Sequence, residues 1–286
     1  MDKQRVREAV WRPLQEKRVS RFHGAAGRIQ NLVGVERHRM RSYAALIFDL
    51  FDTVIDFRRD RMPMIRVNGT EVRSTSYHVY EQFRSVVPDV PFEAFYTAFM
   101  EGYREVERIR ALELREIPSA HRFELILSKL QVQPDHVPAG FPEWLAEIHM
   151  AKLSEAMDFP QEHGPLLEWA RSRYRLGMIS NFDHAPTARG LLEQHGVIGH
   201  FEQVVISAEE GIRKPHPEIF HRMLARMNLT PRDALFIGDS PGLDVAGAKG
   251  VGMDVAWLNR DGEALGEGTP APDYTIARLT DLRQIL

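Results

Sequence analysis

Several polar residues stand where runs of apolar residues stop. Asp49 follows the run 44–48, Ser180 follows 176–179, and Gly238 with Asp239 closes 234–237; Asp244 comes five residues after Asp239, and Lys214 lies in the loop between. Taken singly, each has an ordinary structural use: Asp49 as a turn residue, Ser180, Asn181, Asp239 and Asp244 as helix caps, Lys214 as a solvated loop charge. Brought to one place, however, three carboxylates repel one another unless a cation or a lysine stands among them. Their joint position therefore points to a charge-balanced site rather than to three separate caps.

The elements that must bring them together are legible as period and punctuation. Apolar runs at 44–48, 176–179, 204–206, 234–237 and 253–257 read as buried strands, because a strand covered on both faces is apolar throughout. Helical segments near 161–173, 185–195, 217–227 and 242–249 alternate with them. Strand and helix in alternation predict an α/β fold with a Rossmann-like parallel sheet and helices on both faces. In such sheets ligands bind beyond the carboxyl ends of the strands, where Asp49, Ser180 and Asp239 all fall.

Residues 58–159 have a different pattern. The runs on either side of Asn68-Gly69 predict a hairpin, since both residues tolerate positive φ. Helices are expected near 76–87, 92–115, 119–131 and 142–157, broken at Pro88, Pro91, Pro118, Pro134, Pro138 and Pro142. Aromatic residues at helical spacing, Tyr77, Tyr80, Phe83, Phe95, Tyr96, Phe99 and Tyr103, read as the core of this segment. The expected organisation is an α/β core from 43–57 and 160–286, with a hairpin and a helical cap inserted at 58–159. Residues 1–42 form a basic extension, expected to be poorly ordered: the first 41 carry eleven Lys and Arg against four Asp and Glu, a local charge of +7. Met40 as the true start is a further reading of that segment.

Composition bounds the function. Hydrophobic residues at 43% and charged residues at 27% are those of a globular chain with a sizeable core. A net charge of −3 gives no general reason to expect nucleic acid, and the absence of cysteine excludes disulfides, thiolate metal sites and a cysteine nucleophile. No apolar run is long enough to cross a bilayer and no secretory signal is evident, so a cytoplasmic protein, monomer or homodimer, without a membrane partner is expected.

Asp49-Leu50-Phe51-Asp52-Thr53, Ser180-Asn181, Lys214-Pro215 and Gly238-Asp239-Ser240-Pro241-Gly242-Leu243-Asp244 occur in the order of the four motifs of the haloacid dehalogenase superfamily, and the chain resembles that superfamily from about residue 43 to 260. The resemblance implies a hydrolase with Asp49 as nucleophile. It implies Mg²⁺ held by the carboxylates of Asp49 and Asp239 and the backbone carbonyl of Phe51, with Asp244 completing the cluster. Ser180 would donate to a phosphoryl oxygen, with Asn181 beside it as a second substrate-binding residue. Lys214 would pair with both nucleophile and transferred group, and Thr53 would hydrogen-bond locally to fix the loop. The substrate implied is a small phosphorylated metabolite, attacked to give an aspartyl phosphate; cations and donors are needed because a phosphoryl group repels an incoming carboxylate.

One position departs from that pattern. Phosphatases of the superfamily commonly carry a general-acid Asp two residues after the nucleophile, and here that residue is Phe51. Dehalogenases of the superfamily have an aromatic residue there, since halide leaves without a proton, so a 2-haloacid dehalogenase is an alternative; the acidic pair Asp239 and Asp244 argues against it. Asp52 substitutes for the acid if the chain turns helically after Asp49, but capping of that turn is the favoured role. Phosphonate cleavage would need a cap lysine, Lys129 or Lys152, both of which read as surface charge. A binding protein that kept the fold without catalysis is the non-enzymatic reading. Among cap residues, Arg115 and Arg122, flanking Pro118, are the candidates for a second anionic group on the substrate, because guanidinium matches carboxylate and phosphate.

Overall fold

The computed structural model describes residues 42–286; of the expected basic extension, residues 1–41 lie outside the described residues. In chain order, β1 (Ala45–Phe48) and the short β2 (Asp56–Phe57) lead into a hairpin of β3 (Met64–Val67) and β4 (Thr70–Arg73). Four helices follow: α1 (Ser76–Phe83), α2 (Phe92–Glu113), α3 (Ser119–Lys129) and α4 (Phe141–Ser154). The chain then runs through β5 (Met157–Asp158), α5 (His163–Arg171), β6 (Arg175–Ser180), α6 (Ala185–Gln194), β7 (Gln203–Ile206), α7 (Ser207–Glu210) and α8 (Pro217–Arg226). It ends with β8 (Ala234–Gly238), α9 (Ala246–Gly250), β9 (Asp254–Leu258), β10 (Tyr274–Ile276) and α10 (Leu282–Ile285).

Six strands form one parallel sheet in the order β10-β9-β8-β1-β6-β7. The unbroken apolar runs are explained by two separate apolar clusters, one on each face. Leu46, Phe48, Leu176, Met178, Leu235 and Ile237 join α5 and α6 on one side. Ala45, Ile47, Ile179, Ala234 and Phe236 join α8 and α9 on the other. All four β1 side chains are buried, and fully burying a Leu, Ile or Phe contributes about 1.5–3 kcal/mol. The chain proceeds from β1 to β6 and β7 on one side, then crosses to β8, β9 and β10 on the other. The crevice where that direction reverses lies between the carboxyl ends of β1 and β8.

The hairpin turns where expected, with Asn68 at φ 49°, Gly69 at φ 77° and Val67 opposite Thr70. The helices α1–α4 enclose an apolar cluster of their own, including Tyr80, Phe83, Phe95, Phe99 and Phe123; of the other aromatics expected there, Tyr96 and Tyr103 are half-buried and Tyr77 is exposed. Helix α2 stops at Glu113 because Leu114 takes a left-handed φ of 50°. Three small strands escape the sequence pattern. β2 and β5 pair through two residues each, and β10 is a three-residue edge strand, lengths too short to display a period. The expected helix at 242–249 divides into a π-helical turn, Pro241–Val245, and α9. Among the described residues, no helix is long and apolar enough to cross a membrane.

Candidate active site

β1 and β8 are paired in register, Phe48 opposite Ile237, and the Asp49 amide donates to the Ile237 carbonyl at 2.8 Å. Asp49 and Asp239 therefore leave adjacent strands within one residue of the same level. The π-helical turn brings back Asp244, so that one carboxylate oxygen from each of Asp49, Asp239 and Asp244 lies within 4.8 Å of the others. Oδ2 of Asp244 accepts from the Ser240 amide at 2.9 Å, which fixes the turn around it. Gly238 is required here by close approach: a Cβ at this position would stand 2.5 Å from the Asp244 carboxyl carbon.

Lys214 closes the cluster from the third loop. Its ammonium lies 2.5 Å from Oδ1 of Asp49 and 2.7 Å from Oδ1 of Asp244, and the residue is only 2% exposed. Burial alone would lower the pKa of Lys214, but the charges of Asp244 and Asp49 outweigh it and raise it. The carboxylates are undercompensated. Burial pushes Asp49 up to about 6 against the opposing pull of Lys214, with Asp244 adding repulsion. Asp239 is pushed up to about 8, first by burial, then by the charges of Asp244 and Asp49. An all-oxygen donor set with one ammonium for three carboxylates fits a hard divalent cation.

Two buried hydroxyls border this cluster in sequence and find no hydrogen-bond partner among the described residues, Ser180 Oγ and Thr53 Oγ1. For Ser180 this suits a donor kept for a ligand. For Thr53 it corrects the expectation of a local side-chain hydrogen bond; the loop is held instead by backbone bonds from the Val54 and Ile55 amides to the Leu50 carbonyl, both 2.8 Å. The side chain of Asn181 is turned to Lys214. Its Oδ1 accepts from the Lys214 amide at 2.8 Å and its Nδ2 donates to the Lys214 carbonyl at 2.9 Å, so the side chain holds Lys214 in position.

The Asp49 loop does not turn helically. Asp52 has a left-handed φ of 60°; its Oδ1 accepts from the Phe57 amide at 3.0 Å and its Oδ2 from Arg59 at 2.8 Å. Both contacts tie the loop to the strand and the arginine that follow it, in place of the expected cap of a helical turn. Phe51 instead packs its ring on Phe182, centroids 4.5 Å apart.

The loop joining α2 to α3 is stitched to the site loops by backbone bonds: Glu116 amide to Gly211 carbonyl, Arg213 amide to Leu114 carbonyl, Ser119 amide to Asp183 carbonyl. Beneath it lies a buried charge network that the sequence reading missed. Asp183 accepts from Arg110 at 2.9 Å and Arg122 at 2.7 Å, while Glu116 pairs with Arg110 at 2.7 Å and accepts from Ser207 Oγ at 2.6 Å. Two arginines, with burial opposing, hold the Asp183 carboxyl below the usual carboxylate range. The one available signal was the position of Asp183, three residues after Ser180; Arg110 and Glu116 carry none that separates them from surface charges.

Arg122 is thereby engaged on both sides, since its Nη1 also lies 3.2 Å from Nε2 of His149. This corrects its expected role as an open anion contact. Arg115 is exposed and pairs with Glu113 at 3.2 Å, while its backbone bridges Ile212 in the loop that leads to Lys214. Lys129 and Lys152 pair with Glu101 and Glu155 on helix surfaces.

Residues 43–252 match the model of the haloacid dehalogenase-like hydrolase family. A glyceraldehyde 3-phosphate phosphatase of Pyrococcus furiosus is 27% identical over 253 residues, covering 86% of this chain and 94% of that one. Among solved structures, a 2-haloacid dehalogenase from Pseudomonas syringae pv. Tomato superposes with a TM-score of 0.61 at 20% identity, covering 85% of this chain and 97% of that one. A HAD-hydrolase from Bacillus subtilis bound to magnesium superposes with a TM-score of 0.55 at 20% identity, covering 86% and 99%. At such identities the structural likenesses speak for the fold, whereas the family match spans most of the chain and includes every residue of the carboxylate–lysine cluster: this protein belongs to the haloacid dehalogenase-like hydrolases.

Proposed function

We propose that the chain is a Mg²⁺-dependent phosphatase of a small phosphorylated metabolite, with Asp49 as nucleophile and the 58–159 segment as its cap. The observation that carries this reading is the Asp49 carboxylate held against the Lys214 ammonium, beside two further carboxylates that one lysine leaves undercompensated. An Asp49 oxygen attacks phosphorus, the bond to the leaving oxygen breaks with its electron pair, and water then hydrolyses the aspartyl phosphate. Lys214 keeps Asp49 ionised and balances charge on the transferred group, and the Ser180 hydroxyl donates to one of its oxygens. Asp49, Asp239 and Asp244, with the backbone carbonyl of Phe51, would hold Mg²⁺, which supplies positive charge against the phosphoryl oxygens. The phosphatase name of the Pyrococcus relative supports a small phosphorylated substrate.

Hydrolysis of an activated aryl phosphate that EDTA abolishes and Asp49→Asn eliminates is the expected result; turnover independent of metal would overturn the reading. Phe51 favours one second reading, carbon–halogen hydrolysis, because it is a hydrocarbon at the acid position. Halide release from a 2-haloacid without added metal would establish it, and its absence would remove it.

A further inference from the structure

We infer that the substrate is a phosphate whose leaving group departs as a stable anion without being protonated, as from an acyl, aryl or enol phosphate rather than an alkyl ester. The inference rests on the phosphatase reading above and names its substrate class.

The loop that presents the nucleophile has no free carboxyl to protonate a leaving oxygen, and its one unpaired hydroxyl, Thr53 Oγ1, is fully buried. Phe51, two residues beyond Asp49, is a hydrocarbon whose ring lies 4.5 Å from that of Phe182, so the loops after β1 and β6 face each other through an aromatic pair. Both rings are half-buried and pack against the apolar cluster under the sheet, which keeps them in place. Asp52, the neighbouring carboxyl, is committed to the Phe57 amide and to Arg59. Its left-handed backbone is locked by the Asp52 amide donating to the Ile55 carbonyl at 2.6 Å. On the facing loop, Asp183 is taken by Arg110 and Arg122, and burial holds His184, whose Nδ1 lies 2.9 Å from Thr187 Oγ1, below the usual imidazole pKa and so without the acidic proton. The remaining carboxyls of the site, Asp239 and Asp244, belong to the cluster with Asp49.

The reaction balances without an enzyme acid. An Asp49 oxygen forms the bond to phosphorus while the P–O bond to the leaving group breaks, and the electron pair leaves on a carboxylate, phenolate or enolate. Water then attacks phosphorus, the Asp49–phosphorus bond breaks, and the protons of that water remain with the phosphate and the solvent. For an alkyl ester the same bond cleavage would expel an alkoxide, and general-acid assistance to such a step is typically worth about 10²–10⁴-fold.

The test compares kcat/KM, which reports the steps through leaving-group departure, for two matched pairs with Mg²⁺: acetyl phosphate against ethyl phosphate, and phenyl phosphate against cyclohexyl phosphate. The wild-type protein is expected to favour the first member of each pair by at least about 10²-fold. Phe51→Asp is expected to shrink both ratios by raising the rate on the alkyl esters. Ratios near one in the wild-type protein, with EDTA-sensitive turnover retained, overturn the inference and leave the phosphatase reading standing. A preference for phenyl over cyclohexyl without one for acetyl over ethyl also overturns it, since stacking on Phe51 and Phe182 would then be the cause. No EDTA-sensitive turnover of any of the four overturns the phosphatase reading and the inference with it. The wild-type ratios decide the matter even if Phe51→Asp does not fold.

Discussion

The ammonium of Lys214 sits between two carboxylates, 2.5 Å from Asp49 and 2.7 Å from Asp244, at a position where almost no solvent reaches any of the three. A buried lysine between two acids is stable only as a unit, because removing one member leaves the others without a counter-charge.

Lys214→Met is therefore expected to lower kcat by at least about 10²-fold, the usual cost of one preorganised donor. It should also destabilise the fold by about 3–5 kcal/mol at pH 8. The stability loss should be smaller at pH 5, since Asp49 without its cation accepts a proton. Steady-state kinetics and urea unfolding at the two pH values check both parts, and a loss independent of pH would contradict the pairing.

Gly238→Ala puts a methyl group 2.5 Å from the Asp244 carboxyl carbon and must displace that side chain. The expected effect is a loss of Mg²⁺ affinity of about 10–100-fold, as for other changes that misplace ligands through their neighbours. Titration calorimetry with Mg²⁺ reads it directly; unchanged affinity would remove Asp244 from the ion's surroundings.

Asp183→Asn is expected to cost about 3–5 kcal/mol, because it leaves Arg110 and Arg122 buried without their shared carboxylate. Arg115→Ala should change stability by less than about 0.5 kcal/mol, as its pair with Glu113 is exposed. Chemical denaturation of the two variants, compared with wild type, separates the buried network from the surface pair.

His149 lies fully inside the helical layer, Nδ1 at 2.8 Å from Thr75 Oγ1 and Nε2 facing Arg122, and burial with the Arg122 charge lowers its pKa to about 3. Between pH 6.5 and about 3 the unfolded chain therefore binds a proton that the folded chain refuses. The neutral imidazole's contribution is complete above pH 6.5 and is lost as pH falls through that window, by an amount on the order of several kcal/mol. His149→Gln, which keeps a hydrogen-bonding side chain but does not titrate, should flatten the slope of unfolding free energy against pH in this interval; an unchanged slope would assign the titration elsewhere.

What the chain's order of residues determined by itself was the strand-and-helix alternation and the four polar stations at strand ends. Both are local: a run of five apolar residues and the polar group that stops it are contiguous, and each strand of a parallel sheet must present that group at the same edge. Asp49, Ser180, Lys214, Asp239 and Asp244 were legible for this reason, and so was the hairpin at Asn68-Gly69. What only the tertiary structure decided were relations between residues far apart in the chain. Asn181 spends its amide on Lys214, 33 positions away. Asp183 draws Arg110 and Arg122 into a buried network from 73 and 61 positions away, so that Arg122, which the sequence offered as a ligand contact, is occupied by the protein itself. Asp52 belongs with these, for a left-handed φ at an aspartate leaves no trace in the residue pattern until the Ile55 carbonyl and Arg59 are in place. Charge type can be read from a sequence, but whether a charge is free to meet a ligand depends on which partners packing has already brought to it.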